Sequence, residues 1–496
     1  MKFLPICISI ISNTLFCEAQ IIKSDIGAIK NAGFEISRDT LLILPGSWTI
    51  KKVDGFVYSI DEKTKRSDNK SFTISSTQYA NTTAHLPFNQ VVPIIVSKPT
   101  RISISVYIKT DEIKGEAGLW SQVWNKDNKQ IGFANLQMQN IFIHGTSDWT
   151  KYSINLTVDE QSKSLVLGGY LKGAGTVWYD DFSLDAYDTK EPPSKEVEKY
   201  ISEVTEIVKE QSIFRDSLNW KQIDLDLKSL SRGVKSVEDS RFLIDFILME
   251  LRKAGDNHSF LQAKTTAQKY ASKNLNPDRP HSKLLGSDIG YIYIPGFSST
   301  NDTASLNFSN SVQLMIKKLD SENKVKGWIV DLRGNTGGNM WPMVAGLGPL
   351  IGGGSIGYFV NSGKYNAWMN AQDNSSASKV SSMYTKNRYS LKEPNTSVAV
   401  LIGPKTSSSG EMTAIAFIGK NNTKFIGKPS GGFTTANGMF KLSDGSMLML
   451  ATSYAADRNK TKYLGKINPD ILVPSSASQL DEDLLVAEKW IRETTH

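Results

Sequence analysis

The residues best suited to do chemistry in this chain are Thr406-Ser407-Ser408-Ser409-Gly410-Glu411-Met412, which directly follow the apolar run from Val398 to Gly403. A buried strand that breaks at Gly403-Pro404 and re-enters a helix through hydroxyl residues puts a serine in a helix's first turn. Backbone N–H groups of that turn have no intrahelical partner, so they stabilise negative charge. A serine there can attack a carbonyl while neighbouring N–H groups hold the oxyanion. Ser408 and Glu411 also match the S-x-x-E capping box, in which both side chains only close the helix start. Choosing between nucleophile and cap requires other residues.

Two segments supply them. Asp331-Leu-Arg-Gly-Asn-Thr-Gly-Gly338 ends an apolar strand in a glycine-rich turn, where backbone N–H groups can approach a ligand closely. It is not a phosphate loop: no Gly-Lys-Ser/Thr follows, and the glycines lack dinucleotide spacing. Taken alone it reads equally well as a tight strand-to-helix turn. His258, within Gly255-Asp-Asn-His-Ser-Phe260, is one of five histidines in the chain, and only His281 and His496 join it beyond residue 188. A nucleophilic serine needs a base, and histidine is the commonest one.

The elements that must position these residues belong to a chain of 496 residues, enough for two or three domains. Its 40% hydrophobic and 22% charged content is ordinary for a globular protein. The net charge of +7 is spread along the chain without a lysine or arginine cluster, which argues for solubility and against a nucleic-acid partner. At the N-terminus, Lys2, the apolar Phe3 to Ile11 and the site Cys17-Glu18-Ala19 read as an export signal over residues 1–19. That stretch is too short to span a bilayer, and no later one is long enough. Cys7 and Cys17 both lie inside it, so the mature chain has no disulfide, thiolate metal site or cysteine nucleophile. Lipid attachment at Cys17 is the alternative, with Phe16 a poor residue before it. The expected location is periplasmic or secreted.

Residues 20–188 read as an all-β domain, with short apolar or alternating runs such as Arg101 to Ile108 and Ser164 to Gly168 between turn residues. Trp120 and Trp124 are read as core residues, although their faces would also suit a sugar ring. Residues 189–196 are a linker by composition. A region over 197–285 that carries His258 has helical spacing at Val197 to Val208 and at Phe242 to Leu251. Over 286–496, the strands Ile289 to Ile294, Gly327 to Leu332, Val398 to Ile402 and Lys424 to Gly427 alternate with the helices Asn310 to Leu319 and Glu411 to Ile418. This is an α/β pattern with a buried sheet. Asp444-Gly445 is a hairpin turn, and the long polar segment 361–397 is read as a lid.

Asn31-Ala-Gly-Phe-Glu35, Pro45-Gly-Ser-Trp48, Trp149-Thr-Lys-Tyr152 and Val177 to Leu184 occur in an order that resembles galactose-binding-like jelly rolls. That resemblance implies a β-sandwich, a possible glycan ligand, and a structural calcium near Glu35 and Asp181. One pair of carboxylates falls short of the six to eight oxygens calcium takes.

The succession His258, Asp331 to Gly338, Ser408-Ser-Gly-Glu411 and Asn468-Pro-Asp-Ile-Leu-Val473 resembles the S41 peptidases, the family of tail-specific, tricorn-core and nisin-resistance-type proteases. It implies a ClpP/crotonase-like α/β core with an attached helical region. It also implies Ser408 as nucleophile, three residues before Glu411, with the N–H groups of Ser409 and of Gly337 or Gly338 as oxyanion hole. Members with a lysine base carry it in a Gly-Lys-Gly context after the serine. Here Gly431-Gly-Phe-Thr434 stands in that place, and Lys428 comes too early. The Asp-Asn-His-Ser context of His258 resembles the histidine-based branch instead. In tricorn-like members a serine precedes the histidine and a glutamate completes a relay, whereas this chain has Asn257 and Tyr463 there. A Ser408–His258 dyad oriented by another group is therefore expected, with Glu411 either contacting substrate or capping the helix.

About 30 residues separate His258 from Ile289, too few for the PDZ domain that tail-specific members insert. The function expected is an exported serine endopeptidase acting on peptides or unfolded segments, without metal or cofactor. The alternatives are a catalytically lapsed protein that binds glycan or peptide, and an esterase or amidase using the same serine.

Overall fold

The computed structural model describes residues 25–39, 43–76, 84–187, 189–370, 388–474 and 480–494. The expected export signal with Cys17, and residues 371–387 of the expected lid, lie outside the described residues. The chain divides into two compact units between residues 188 and 189. No helix among the described residues is long and apolar enough to cross a membrane.

The first unit is an all-β jelly roll whose ten strands form one antiparallel network. Its spine is Thr100–Asn125, 26 residues long, which bonds to strands Gln130–Asn135, Ile143–Val158, Ser162–Lys172 and Gly175–Ala186. Period-two alternation explains the spine: Ile102, Ile104, Val106 and Ile108 all point into the core. The core is aromatic, with Trp48 and Phe182 at 4.8 Å between ring centroids and Phe88 and Tyr179 at 4.9 Å. Trp120 and Trp124 are not part of it. They are half-buried and alternate with buried Leu119, Ser121 and Val123, so they occupy the opposite face of the sheet. Glu35 and Asp181 serve separate partners. Glu35 accepts the N–H groups of Asn69 and Lys70, while Asp181 pairs with Arg66 at 2.6 Å.

The second unit holds two six-stranded sheets. The main one runs in the order 281–285, 289–293, 327–331, 397–402, 423–427 and 471–472, parallel after its first antiparallel pair. Every residue of Gly327–Asp331 and Ser397–Ile402 is buried, because helices cover both faces. Phe308, Val312 and Ile316 of helix Asp302–Glu322 pack with Val330 and Val400, whereas Ala487 and Ile491 of helix Glu482–Thr494 pack with Ile329 and Leu401.

The other sheet is centred on Met447–Ala456, flanked by Phe260–Gln262, Gly354–Asn361, Lys364–Asn370, Thr435–Lys441 and Lys462–Tyr463. Helices Lys195–Gln211, Trp220–Leu230 and Arg241–Lys253 pack on its Leu448 and Leu450. The middle helix has no counterpart in the sequence analysis; it buries Ile223, Leu227 and Leu230 and packs Trp220 beside them. Two differences concern expected boundaries. The region expected to be helical donates strands 260–262 and His281–Leu285 to the two sheets. The first part of the polar segment expected as a lid, residues 361–370, belongs to a hairpin turning at Ser362 and Gly363, both with positive φ, and anchored by buried Trp368.

Candidate active site

Strands Gly327–Asp331 and Ser397–Ile402 are paired in parallel with Asp331 beside Leu401, so the turns that follow them meet at the carboxyl edge of the sheet. Several hydrogen bonds join the two turns. Thr406 Oγ1 donates to the Leu332 carbonyl at 2.8 Å, Ser407 N to the Asn335 carbonyl at 3.0 Å, and Ser409 Oγ to the Gly338 carbonyl at 2.6 Å. Asp331 accepts the Tyr291 hydroxyl at 2.8 Å and the Arg333 guanidinium at 2.6 Å. Arg333 also reaches Asp481 at 2.6 Å and Asp483 at 3.1 Å, tying the turn to the helix over 482–494. The Asp-Leu-Arg part of the motif is therefore a clamp on the turn.

Ser408 sits just before the helix Ser409–Ile415 with φ 52° and ψ −124°, a conformation that residues other than glycine rarely adopt. Such a strained strand-to-helix turn pushes a serine hydroxyl out of the backbone's own shadow. The glycine turn closes against it: a Cβ on Gly337 (φ 98°) would lie 2.8 Å from Ser408 Cβ. A Cβ on Gly338 (φ 113°) would lie 2.1 Å from the Phe297 carbonyl oxygen. Gly337 spends its N–H on Asn335 Oδ1 at 3.0 Å, so its contribution is close approach. This corrects its expected role as an oxyanion donor. No hydrogen bond among the described residues uses the N–H of Gly338 or of Ser409.

His258 Nε2 lies 2.9 Å from Ser408 Oγ. Its Nδ1 lies 2.9 Å from the main-chain carbonyl of Thr435 and 3.0 Å from Thr435 Oγ1. A carbonyl can only accept, so Nδ1 carries the ring proton and Nε2 is left to accept from the serine. Buried Asp256 does not touch the ring; it accepts the N–H groups of His258 and Ser259, each at 2.9 Å, and holds their turn. Burial pushes the imidazole below its ordinary pKa, opposed by the Thr435 carbonyl and the Asp256 charge.

Glu411 is fully buried. Its Oε2 accepts the N–H groups of Ser408 (2.9 Å) and Phe433 (2.7 Å), and its Oε1 accepts Ser430 Oγ and Gly432 N. Burial raises its pKa, against the pull of these four donors. The expected alternative of substrate contact is overturned, because no part of this carboxylate is exposed. Glu411 pins the serine turn to the loop that leads to Thr435.

Lys428 pairs with Asp483 at 3.7 Å, and the Tyr463 hydroxyl donates to Asp457 at 3.0 Å. Asn257 lines the cleft from an exposed position. Sequence reasoning missed Thr435 altogether, since a main-chain carbonyl leaves no signature in residue types. Asn335 stood inside a recognised motif but was given no role. The cleft over Ser408 and His258 has a volume of ≈ 1380 Å³ and a mixed lining, in which Phe260, Trp341, Phe359 and Phe433 stand among Arg252, Asp278, Lys405 and many hydroxyl and amide side chains. Among the described residues no group of three or more histidine, cysteine or acidic side chains is placed to hold a metal ion.

Residues 288–473 match the profile of Peptidase family S41, and the chain belongs to that family. It is 30% identical over 302 residues to the nisin-resistance protein of Lactococcus lactis subsp. lactis, spanning 61% of this chain and 88% of that relative. Among solved structures it is similar to a lipoprotein from Streptococcus agalactiae, with 26% identity and a TM-score of 0.51 over 60% of this chain and 97% of the other. A xylan-binding domain from Paenibacillus barcinonensis aligns with 33% of this chain and 95% of its own at 14% identity, and its TM-score of 0.23 is too slight to assign a ligand.

Proposed function

We propose that the protein is an exported serine endopeptidase acting on peptides or unfolded segments. The observation that carries this reading is the 2.9 Å approach of His258 Nε2 to Ser408 Oγ, with the Nδ1 proton committed to the Thr435 carbonyl. His258 takes the hydroxyl proton as Ser408 Oγ bonds to the scissile carbonyl carbon. The oxyanion is held by the N–H groups of Ser409 and Gly338. The carbon–nitrogen bond then breaks, the amine leaves with the proton from His258, and a water activated by the same imidazole releases the acyl group.

The test incubates mature protein and its Ser408→Ala variant with a proteome-derived peptide pool and reads new termini by mass spectrometry. Nisin, which the Lactococcus relative's name carries, is a natural addition to the pool. Cuts made by the wild type and reduced about 10⁴-fold or more in the variant are expected. Equal cutting by both proteins, or none by either at neutral to mildly alkaline pH, would overturn the reading.

A further inference from the structure

The main-chain path around Gly338 is set by a one-residue parallel bridge to Phe297. Phe297 N donates to the Gly337 carbonyl at 3.0 Å, and Asn339 N donates to the Phe297 carbonyl at 2.6 Å. The Gly337 carbonyl and the Gly338 N–H belong to one planar trans peptide, so they point in opposite directions. The bond from Phe297 therefore aims the Gly338 N–H away from Phe297. By the same argument the Gly338 carbonyl faces away too, and there it accepts Ser409 Oγ at 2.6 Å. The free N–H thus points to the side on which the serine turn lies, and the Phe297 bridge is what points it.

Phe297 is held on both flanks by side-chain amides from a segment that carries none of the sequence motifs. Asn276 Nδ2 donates to the Gly296 carbonyl at 2.8 Å, and Asn274 Oδ1 accepts the Ser298 N–H at 2.8 Å. Leu275 N adds a bond to the Ser298 carbonyl at 3.1 Å. Gly296 passes so close to the glycine turn that a Cβ there would lie 2.6 Å from the Gly337 carbonyl oxygen. The Phe297 ring is buried beside Phe308, with centroids 4.9 Å apart, so the side chain anchors the bridge while the amides set its direction. The two amides have opposite roles. Asn274 Oδ1 also accepts Asn276 N at 3.2 Å, so Asn274 serves as an acceptor. Asn276 Oδ1 accepts the Asp278 N–H at 3.0 Å, which leaves its amino group to donate to Gly296.

We infer that Asn274 and Asn276 are positioning residues for the oxyanion step: by holding Gly296 and Ser298 they keep the Phe297 bridge in register and the Gly338 N–H aimed at the serine turn. This inference rests on the serine-peptidase reading proposed above. Neither asparagine bonds to Ser408 or His258 among the described residues, so each acts through the bridge. A substrate binds before its carbonyl oxygen carries full charge, whereas the tetrahedral intermediate needs the aimed donor. Loss of either amide should therefore appear in kcat and not in KM. The opposite roles sharpen the expectation. Aspartate keeps the acceptor needed at 274. At 276 it keeps the acceptor for the Asp278 N–H, and with it the local turn, but sets an oxygen against the Gly296 carbonyl.

The full mature chain and its variants are compared on the best peptide from the pool, with kcat and KM measured separately. Asn276→Asp and Asn274→Leu should each lower kcat about tenfold or more while KM stays within about threefold of the wild type. Asn274→Asp should restore most of the kcat that Asn274→Leu loses. A peptide aldehyde of the same sequence, whose hemiacetal oxygen on Ser408 occupies the oxyanion position, should bind more weakly by the factor through which kcat/KM falls. The cleaved product peptide should bind as it does to the wild type. The acid limb of the pH profile should not move, because the bond from His258 to Thr435 is untouched. If Asn276→Asp lacks a cooperative melt, Asn276→Ala takes its place with the same expectation. Wild-type kcat in the 276 variant, a loss carried by KM alone, or equal losses in Asn274→Asp and Asn274→Leu would overturn the inference and leave the peptidase reading intact. Absence of any Ser408-dependent cutting by the wild type would overturn both.

Discussion

At the residue scale, the imidazole of His258 is oriented by a peptide carbonyl where many serine hydrolases use a carboxylate. A neutral acceptor fixes the tautomer without strongly stabilising the imidazolium. Together with burial, this leaves His258 below its ordinary value of 6.5. The base works only when neutral, and it is protonated below its pKa. The acid limb of kcat/KM should therefore fall at a pH below 6.5 and activity should be flat above it; a midpoint at or above 7 would contradict this. Because the acceptor is main chain, Thr435→Val should keep activity within about tenfold, far from the roughly 10⁴-fold loss that follows removal of a carboxylate third member. Glu411→Gln should do more. An amide offers one acceptor oxygen where the carboxylate offers two, so buried donors are left unpaired and stability should drop by about 1–3 kcal/mol in denaturant titration, with kcat falling as well. That Ser408 and His258 would meet was legible because histidine is scarce in this chain and the serine sits in a motif; Thr435 and the spent N–H of Gly337 were not, since backbone hydrogen bonding is invisible in residue types.

At the element scale, the glycine turn and the serine turn are stitched through backbone atoms, so neither tolerates a change of main-chain path. Gly338→Ala adds a Cβ that would lie 2.1 Å from a carbonyl oxygen at φ 113°. The turn must then move, and cutting of the best peptide should fall at least about 100-fold even if the protein stays folded by circular dichroism. Retention of more than a tenth of the activity would show that the turn does not supply the oxyanion donor. The central strands and the hairpin at Asp444-Gly445 could be read from apolar runs and turn residues. Helix Trp220–Leu230 went unread although Trp220, Ile223, Leu227 and Leu230 stand at helical spacing, because the segment is short and exposed Leu225 interrupts its polar face. Trp368 lay hidden inside a polar segment, where one buried indole, unannounced by its neighbours, holds a hairpin in place.

At the scale of the whole molecule, each of the two units has its own buried core, and their division falls at a linker rich in charge and proline. Residues 189–496 expressed alone should fold and cut small peptides with a kcat/KM within about threefold of the full chain. A loss of folding, seen as a missing cooperative melt, would show that the jelly roll is needed for the peptidase. Arg333 gives the peptidase unit a further property. The guanidinium that clamps the glycine turn meets Asp481 across 148 positions of sequence. During synthesis at ordinary speeds, the turn emerges with Asp331 but roughly 7–30 s before Asp481 exists. A nascent chain thus carries Ser408 and His258 ahead of the full clamp on the glycine turn. On the exported-peptidase reading proposed above, hydrolytic competence comes late in biogenesis, which limits the time the chain spends active among the unfolded proteins of the cell that makes it.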